Sequence, residues 1–324
     1  MVRWFTAAAL IAVLVGACGS TPTPASSPAL ASSAPLAPSF GPSAPLAPSD
    51  PVSPSATLVP VAPSSSTPPP SPSALASPSP TAPPVATWRL VAVGDSIAYN
   101  SPGDCPGCLG FVDRYADASR DATGHPVLIQ NLSEHNGLRV DGLLLELDRD
   151  QVRRQALARA DIIIVGIAHN DSPLNRGARR CDGADSDDPD WSKFDAACVA
   201  RADSIYGPKY ERVFEQIAAL RMGKPTILRT LNRYDDWIGW PGHTLSPEAI
   251  AAARLVLDGW NAMICRAAEA NGFTCADLHA AFNGTDGLTA SGDLLVGDYT
   301  HPSAKGNRVI ADTLIKLGYA PLAP

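Results

Sequence analysis

Asp161 opens the run Ile162-Ile163-Ile164-Val165-Gly166-Ile167, the most apolar stretch of the chain after its leader. A run this short, with no polar alternation, predicts a strand buried on both faces, which a parallel sheet covered by helices on each side requires. Further strand patterns stand at Leu90–Val93, His125–Asn131, Pro225–Leu231 and Phe273–Leu278. Helical spacing fills the gaps: Phe111 to Ala122, Arg139 to Ala160, Asp195 to Met222 with an interruption at Gly207-Pro208, and Pro247 to Ala270 behind a Ser246 cap. A last helix, Ser303 to Leu317, closes at Gly318. In the helix from Arg139 to Ala160, Leu143, Leu144, Leu147, Val152 and Leu157 form the apolar face, with Arg153 on the polar side. Strand and helix alternate throughout, which predicts an α/β domain of three layers, α/β/α.

The first 87 residues follow a different logic. Residues 1–17 read as an export signal: Arg3, then an apolar run from Trp4 to Val15 too short to span a bilayer. Val15-Gly16-Ala17-Cys18 resembles the bacterial lipoprotein signal, which implies cleavage before Cys18 and lipidation of its thiol; an ordinary secretory signal is the alternative. Residues 18–87 are a Pro/Ser/Ala-rich linker in which Ser33-Ala34-Pro35-Leu36-Ala37-Pro38-Ser39 recurs at Ser43–Ser49. Such composition buries too little apolar surface to offset ordering entropy, and extended polyproline geometry would let it reach on the order of 200 Å. Arg3 and Asp50 are the only charges before Trp88, so the net charge of −7 belongs to residues 88–324. That balance argues against nucleic-acid binding and leaves membrane contact to the lipid anchor alone.

Removing Cys18 leaves six cysteines, an even number that favours three disulfides in an exported chain. Sequence order suggests Cys105–Cys108, Cys181–Cys198 and Cys265–Cys275, among fifteen possible pairings. Cys105-Pro106-Gly107-Cys108 has no second Cys-x-x-C to complete a metal site, so a local structural loop is expected there and no metal or cofactor is called for. The spacing of the acidic loop Cys181–Asp190 lacks the EF-hand glycine and closing glutamate of a calcium loop, and the loop reads as solvated.

Polar clusters sit where the strands end. Leu90–Val93 stops at Gly94-Asp95-Ser96, placing Ser96 in the crevice where open α/β sheets bind ligands. The central strand ends in Ala168-His169-Asn170-Asp171. Before the last helix stands Asp298-Tyr299-Thr300-His301. A hydroxyl nucleophile needs a base to take its proton, and the base needs a group that fixes its tautomer. Ser96, His301 and Asp298 supply the three roles. His125, His135, His243 and His279 have no acidic partner positioned by sequence, and His169 reads equally as a structural histidine. The loop Asn232–His243, rich in aromatic rings, is expected either to wall a substrate pocket or to fold back on the domain.

With these residues in place, Arg89–Leu317 resembles the SGNH hydrolases, also called GDSL-type esterases and lipases. The resemblance implies a flavodoxin-like parallel sheet of about five strands and carries Ser96 as nucleophile, His301 as base and Asp298 as its orienting partner. It also implies an oxyanion hole from the N–H groups of Ser96 and Gly137 and the side chain of Asn170. Asn100 stands where the first motif often ends in glycine, Ala168 where the third usually has one, and the spacing from Asn131 to Gly137 is slightly long. The function implied is a lipid-anchored serine esterase on the outer face of the cell membrane, monomeric, acting on small-molecule or polysaccharide esters. A surface carbohydrate-binding protein on the same fold and an O-acyltransferase are the alternatives.

Overall fold

The computed structural model describes residues 85–323 apart from Asp185, Asp187 and 241–243. The predicted signal, Cys18, nearly all of the linker, and His243 therefore lie outside the described residues. Five strands form one sheet: β1 (Trp88–Gly94), β2 (Val127–Asn131), β3 (Ile162–Gly166), β4 (Ile227–Leu231) and β5 (Thr274–Ala276). Their order is β2-β1-β3-β4-β5 and every pairing is parallel. This is the doubly wound order whose switch point lies between the first and third strands. The α/β/α expectation holds.

Side chains alternate across β1 and β3 and so feed two cores. Leu90, Ala92, Ile162 and Ile164 face α2 (Phe111–Thr123), α7 (Leu278–Asn283) and α8 (Ala304–Ile315). Val91, Val93, Ile163 and Val165 face α3 (Val140–Arg149), α4 (Gln151–Arg159), α5 (Ala196–Leu220) and α6 (Pro247–Glu269). A four-residue helix, α1 (Ser96–Tyr99), follows β1 directly.

Three local expectations are corrected. The helix expected over Arg139–Ala160 breaks at Asp150, which leaves helical geometry and caps α4 by accepting from the N–H groups of Val152 and Arg153. The break shifts the phase of the second half, so Val152 points to solvent and Arg153 turns inward. There Arg153 donates to the Leu132 carbonyl (2.8 Å) and pairs with Glu134 (2.9 Å) and Glu146 (3.0 Å). No interruption occurs at Pro208, which lies inside a continuous α5. The missing N–H costs about 3 kcal/mol, offset by a buried face of Tyr206, Tyr210, Val213, Phe214 and Ile217. The fifth strand is shorter than Phe273–Leu278, because Asp277 caps α7 by accepting from the Ala280 N–H.

Three disulfides join Cys105 to Cys108, Cys181 to Cys198, and Cys265 to Cys275, with Cα–Cα separations of 5.4, 5.4 and 5.3 Å. These are the pairs that sequence order suggests.

At the end of β1, Gly94 stands opposite Gly166. A Cβ on Gly94 would fall 2.0 Å from the Gly166 carbonyl oxygen. Gly94→Ala is therefore expected to lower unfolding free energy by on the order of 3 kcal/mol in urea. Gly297→Ala, where an added Cβ meets nothing within 4 Å, is expected to leave it unchanged within about 0.5 kcal/mol.

Candidate active site

Asp95 begins the site. Its side chain is buried and accepts from three backbone N–H groups: Ile97 (3.0 Å), Ala168 (3.2 Å) and His169 (3.3 Å). The first of these caps α1, and the other two tie the exit of β3 to the exit of β1. Burial pushes the Asp95 carboxyl up while the three donors and His301 pull it down, leaving it above its ordinary value.

Ser96 follows at the first position of α1. Its Oγ lies 2.9 Å from His301 Nε2. His301 Nδ1 lies 2.7 Å from Asp298 Oδ2, and Asp298 Oδ1 accepts from the N–H groups of Thr300 and His301, both at 2.9 Å. Partial burial pushes the Asp298 carboxyl up, but these donors and the ring outweigh it and hold the pKa below the usual range. Asp298 thus remains ionised and favours the tautomer with the His301 proton on Nδ1, which turns the Nε2 lone pair toward Ser96. Residues 205 positions apart meet in one hydrogen-bonded chain. Such a chain can deliver a serine alkoxide to an electrophilic carbon.

Asn170 stands on the β3 exit loop, and one of its amide hydrogens goes to the Leu138 carbonyl at 2.9 Å, which fixes the amide plane. Gly137 is exposed, with φ 75°, and its N–H makes no hydrogen bond among the described residues. The neighbouring Asp171 accepts from the Val140 N–H at 2.6 Å. Two bonds therefore link the Asn170 loop to the loop that carries Gly137.

Asn100, the departure from the family pattern at the end of α1, takes φ 54° and ψ 65°, the left-handed conformation a glycine there would adopt. Its side chain then does what glycine has no atoms for: Nδ2 donates to the Cys108 carbonyl, and Oδ1 accepts from Asn307.

Of the aromatic loop, Tyr234 and Trp237 are buried. Tyr234 stacks on Phe282 with ring centres 4.3 Å apart, packs against His169 at 4.5 Å, and donates its hydroxyl to the Thr300 carbonyl at 2.5 Å. Arg233 is fully buried against Asp236 at 2.6 Å. The loop folds back and braces the segment carrying Asp298 and His301. Trp237 and Trp240 also wall a cavity of about 290 Å³ with Asp298, Tyr299 and Thr300, and Ser96 does not line it.

His169 is buried, and its pKa sits well below the ordinary imidazole value, first through burial and then through Arg233 and His301. It is a neutral packing group. Two histidines without an obvious partner in sequence acquire one in space. His135 Nε2 lies 2.8 Å from Asp104 Oδ2, and His279 Nδ1 lies 3.4 Å from Asp258. His135 also packs 5.6 Å from the His301 ring. Nothing in the spacing of residues 104 and 135 reveals this pairing, because the contact forms across two loops.

A serine hydroxyl, an imidazole and a carboxylate at the switch point of a 2-1-3-4-5 sheet define an α/β fold with the equipment for acyl transfer. A profile of the GDSL-like lipase/acylhydrolase family matches residues 92–309, and the chain belongs to that family. Among solved structures, it is similar to the lipase Lip_vut3 from a goat rumen metagenome, with TM-score 0.54 and 20% identity over 73% of this chain and 100% of that one. It is also similar to the acetylxylan esterase Axe2 from Geobacillus stearothermophilus (TM-score 0.47, 16% identity, 72% and 94% covered) and to phospholipase A1 from Streptomyces albidoflavus (0.47, 17%, 71% and 99%). A search of curated protein sequences found no match.

Burial raises the Asp171 pKa to about 6. A carboxyl whose folded pKa exceeds its unfolded value stabilises the fold when protonated, fully below the unfolded pKa near 4, and loses that contribution as pH rises through 6. The stability of the native chain relative to Asp171→Asn should therefore fall by roughly 2–3 kcal/mol between pH 4 and pH 7. Urea unfolding at each pH checks it; a difference independent of pH rules the assignment out.

Proposed function

We propose that this member of an ester-hydrolysing family is a serine esterase that works through an acyl-enzyme. The observation that carries the reading is the continuous chain from Ser96 through His301 to Asp298. Ser96 Oγ attacks the ester carbonyl while His301 Nε2 takes its proton, and Asp298 stabilises the imidazolium so formed. The oxyanion is received by the N–H groups of Ser96 and Gly137 and by the amide hydrogen of Asn170 not engaged by Leu138. His301 returns the proton to the leaving alcohol. Water, activated by the same imidazole, then releases the acid and restores Ser96.

The substrate class is carboxylic esters: acetyl groups on polysaccharide, acylglycerols or small acyl esters. Export, acylation of Cys18 and a Pro/Ser/Ala-rich tether to the outer face of the membrane complete the reading. Its support is the charge-poor leader ending in Val15-Gly16-Ala17-Cys18 and the uncharged composition of most of residues 18–87. Radiolabelled palmitate incorporated into the full chain and lost in Cys18→Ala is the expected result; a label retained in that variant removes Cys18 from the role.

A serine-directed phosphonate should modify the folded chain once, at Ser96, as read by mass spectrometry; an unmodified Ser96 overturns the esterase. Asn170→Ala should lower kcat by about 10²–10³ with KM little changed, the loss of one oxyanion donor. An unaltered kcat would exclude that side chain from the oxyanion hole.

A further inference from the structure

Among the described residues, one set of three metal-ligating side chains converges: Asp104, His135 and His301, with one donor atom from each within 4.8 Å of the others. Asp104 Oδ2 lies 2.8 Å from His135 Nε2 and 3.6 Å from His301 Nε2. This oxygen is buried, yet neither neighbour meets it in hydrogen-bonding geometry. A buried carboxylate oxygen within ion-pair distance of two imidazole nitrogens, and hydrogen-bonded to neither, is placed to share one cation with both.

We propose that Asp104, His135 and His301 form a binding site for a divalent transition metal of the zinc class, and that its occupancy switches the enzyme off. Two imidazoles and one carboxylate are the donors zinc favours, whereas magnesium and calcium take oxygen sets. Ligands held at about 2.0–2.2 Å around a tetrahedral ion lie about 3.3–3.6 Å apart. The Asp104–His301 separation already meets that spacing. The Asp104–His135 pair has to open by roughly half an ångström, and the His135 side chain, 40% exposed, is free of core packing that would oppose it.

The other two ligands are held in place. Asp104 sits in a turn closed by its own N–H and that of Cys105 on the Ser101 carbonyl, one residue before the Cys105–Cys108 disulfide. His301 is oriented by Asp298 at Nδ1, the carboxylate–histidine arrangement that fixes the tautomer of metal-bound imidazoles.

Inhibition follows from which lone pair is used. His301 has one free ring nitrogen, Nε2, and the same atom faces Ser96 Oγ at 2.9 Å. A metal on Nε2 occupies the lone pair that would accept the serine proton, so metal binding and base catalysis exclude each other. Binding itself does not depend on the esterase reading; the inhibition rests on it.

The test titrates Co²⁺, as a spectroscopic stand-in, and Zn²⁺ into the full chain, and separately follows hydrolysis of p-nitrophenyl acetate with Zn²⁺ and after EDTA. The expected result is one equivalent of Co²⁺ bound with visible d–d absorption, displaced by Zn²⁺ and not by Mg²⁺. Both His135→Ala and Asp104→Asn should weaken binding at least tenfold, while Ser96→Ala should bind as the native chain does. Zn²⁺ should inhibit hydrolysis reversibly, and His135→Ala should hydrolyse at the native rate with the inhibition lost. No saturable binding, binding indifferent to both ligand substitutions, or displacement by Mg²⁺ overturns the site. Binding as expected without inhibition of an active enzyme overturns the switch. A chain that binds metal but hydrolyses no ester contradicts the esterase reading and leaves the site standing.

Discussion

Everything at the rim depends on the carboxylate of Asp95. The sheet brings Gly94 and Gly166 so close that the exit of β1 has no room for a side chain at residue 94. Three N–H groups from two chain segments then point into a space closed to solvent. One acceptor group satisfies all three, and leaving any of them unpaired would cost about 1–3 kcal/mol. A neutral acceptor of the same size could meet the geometry less well, because the third donor needs the second oxygen. Through that one residue the turn of Ser96 and the loop of Asn170 become a single rigid object. Asn170 and Asp171 extend it to Leu138 and Val140, so hydrogen bonds join the loops after β1, β2 and β3.

The segment Asp298–His301 belongs to none of those loops and must be brought to them. Asn307, fully buried on α8, performs the join. Its Oδ1 accepts from the Phe111 N–H at the start of α2, while Nδ2 reaches Asn100 Oδ1 and the carbonyls of Pro302 and Ser303. One amide therefore touches the end of the nucleophile helix, the helix packed behind it, and the chain just after His301. From the opposite side the Tyr234 hydroxyl holds Thr300. The distance from Ser96 to His301 is set by the packing of α8 on α2 and of Tyr234 on Phe282, not by the two residues themselves.

This division explains what could be read from the chain and what could not. The presence of the strands, the layer order and the turn of Ser96 were legible, because an apolar run ending at a polar residue is a local signal. The same holds for the disulfides, whose partners are neighbours in sequence. Asp298 and His301, which follow no strand, were legible only as an acid and an imidazole three residues apart, and the structure brings them to Ser96. The break at Asp150 was not legible: helical periodicity continues on both sides, and only the inward pull of Leu132, Glu134 and Glu146 on Arg153 shows why the phase shifts. Pro208 misled for the opposite reason, since a local penalty was outweighed by burial at a distance. Asp104 beside His135 left no trace in the sequence, because the pair exists only where two loops cross.

Histidine roles follow the same rule. His169 and His301 both stand beside the strand exits, and residue type does not distinguish them. His169 is buried under Tyr234, where the charged imidazole is disfavoured by burial and by the cationic Arg233. His301 keeps an opening to solvent and has Asp298 on Nδ1, which leaves Nε2 facing Ser96. Tyr234, packed against one imidazole and bonded through its hydroxyl to the segment that carries the other, gives the two rings their different surroundings, which ties the geometry of the site to the folding back of the aromatic loop.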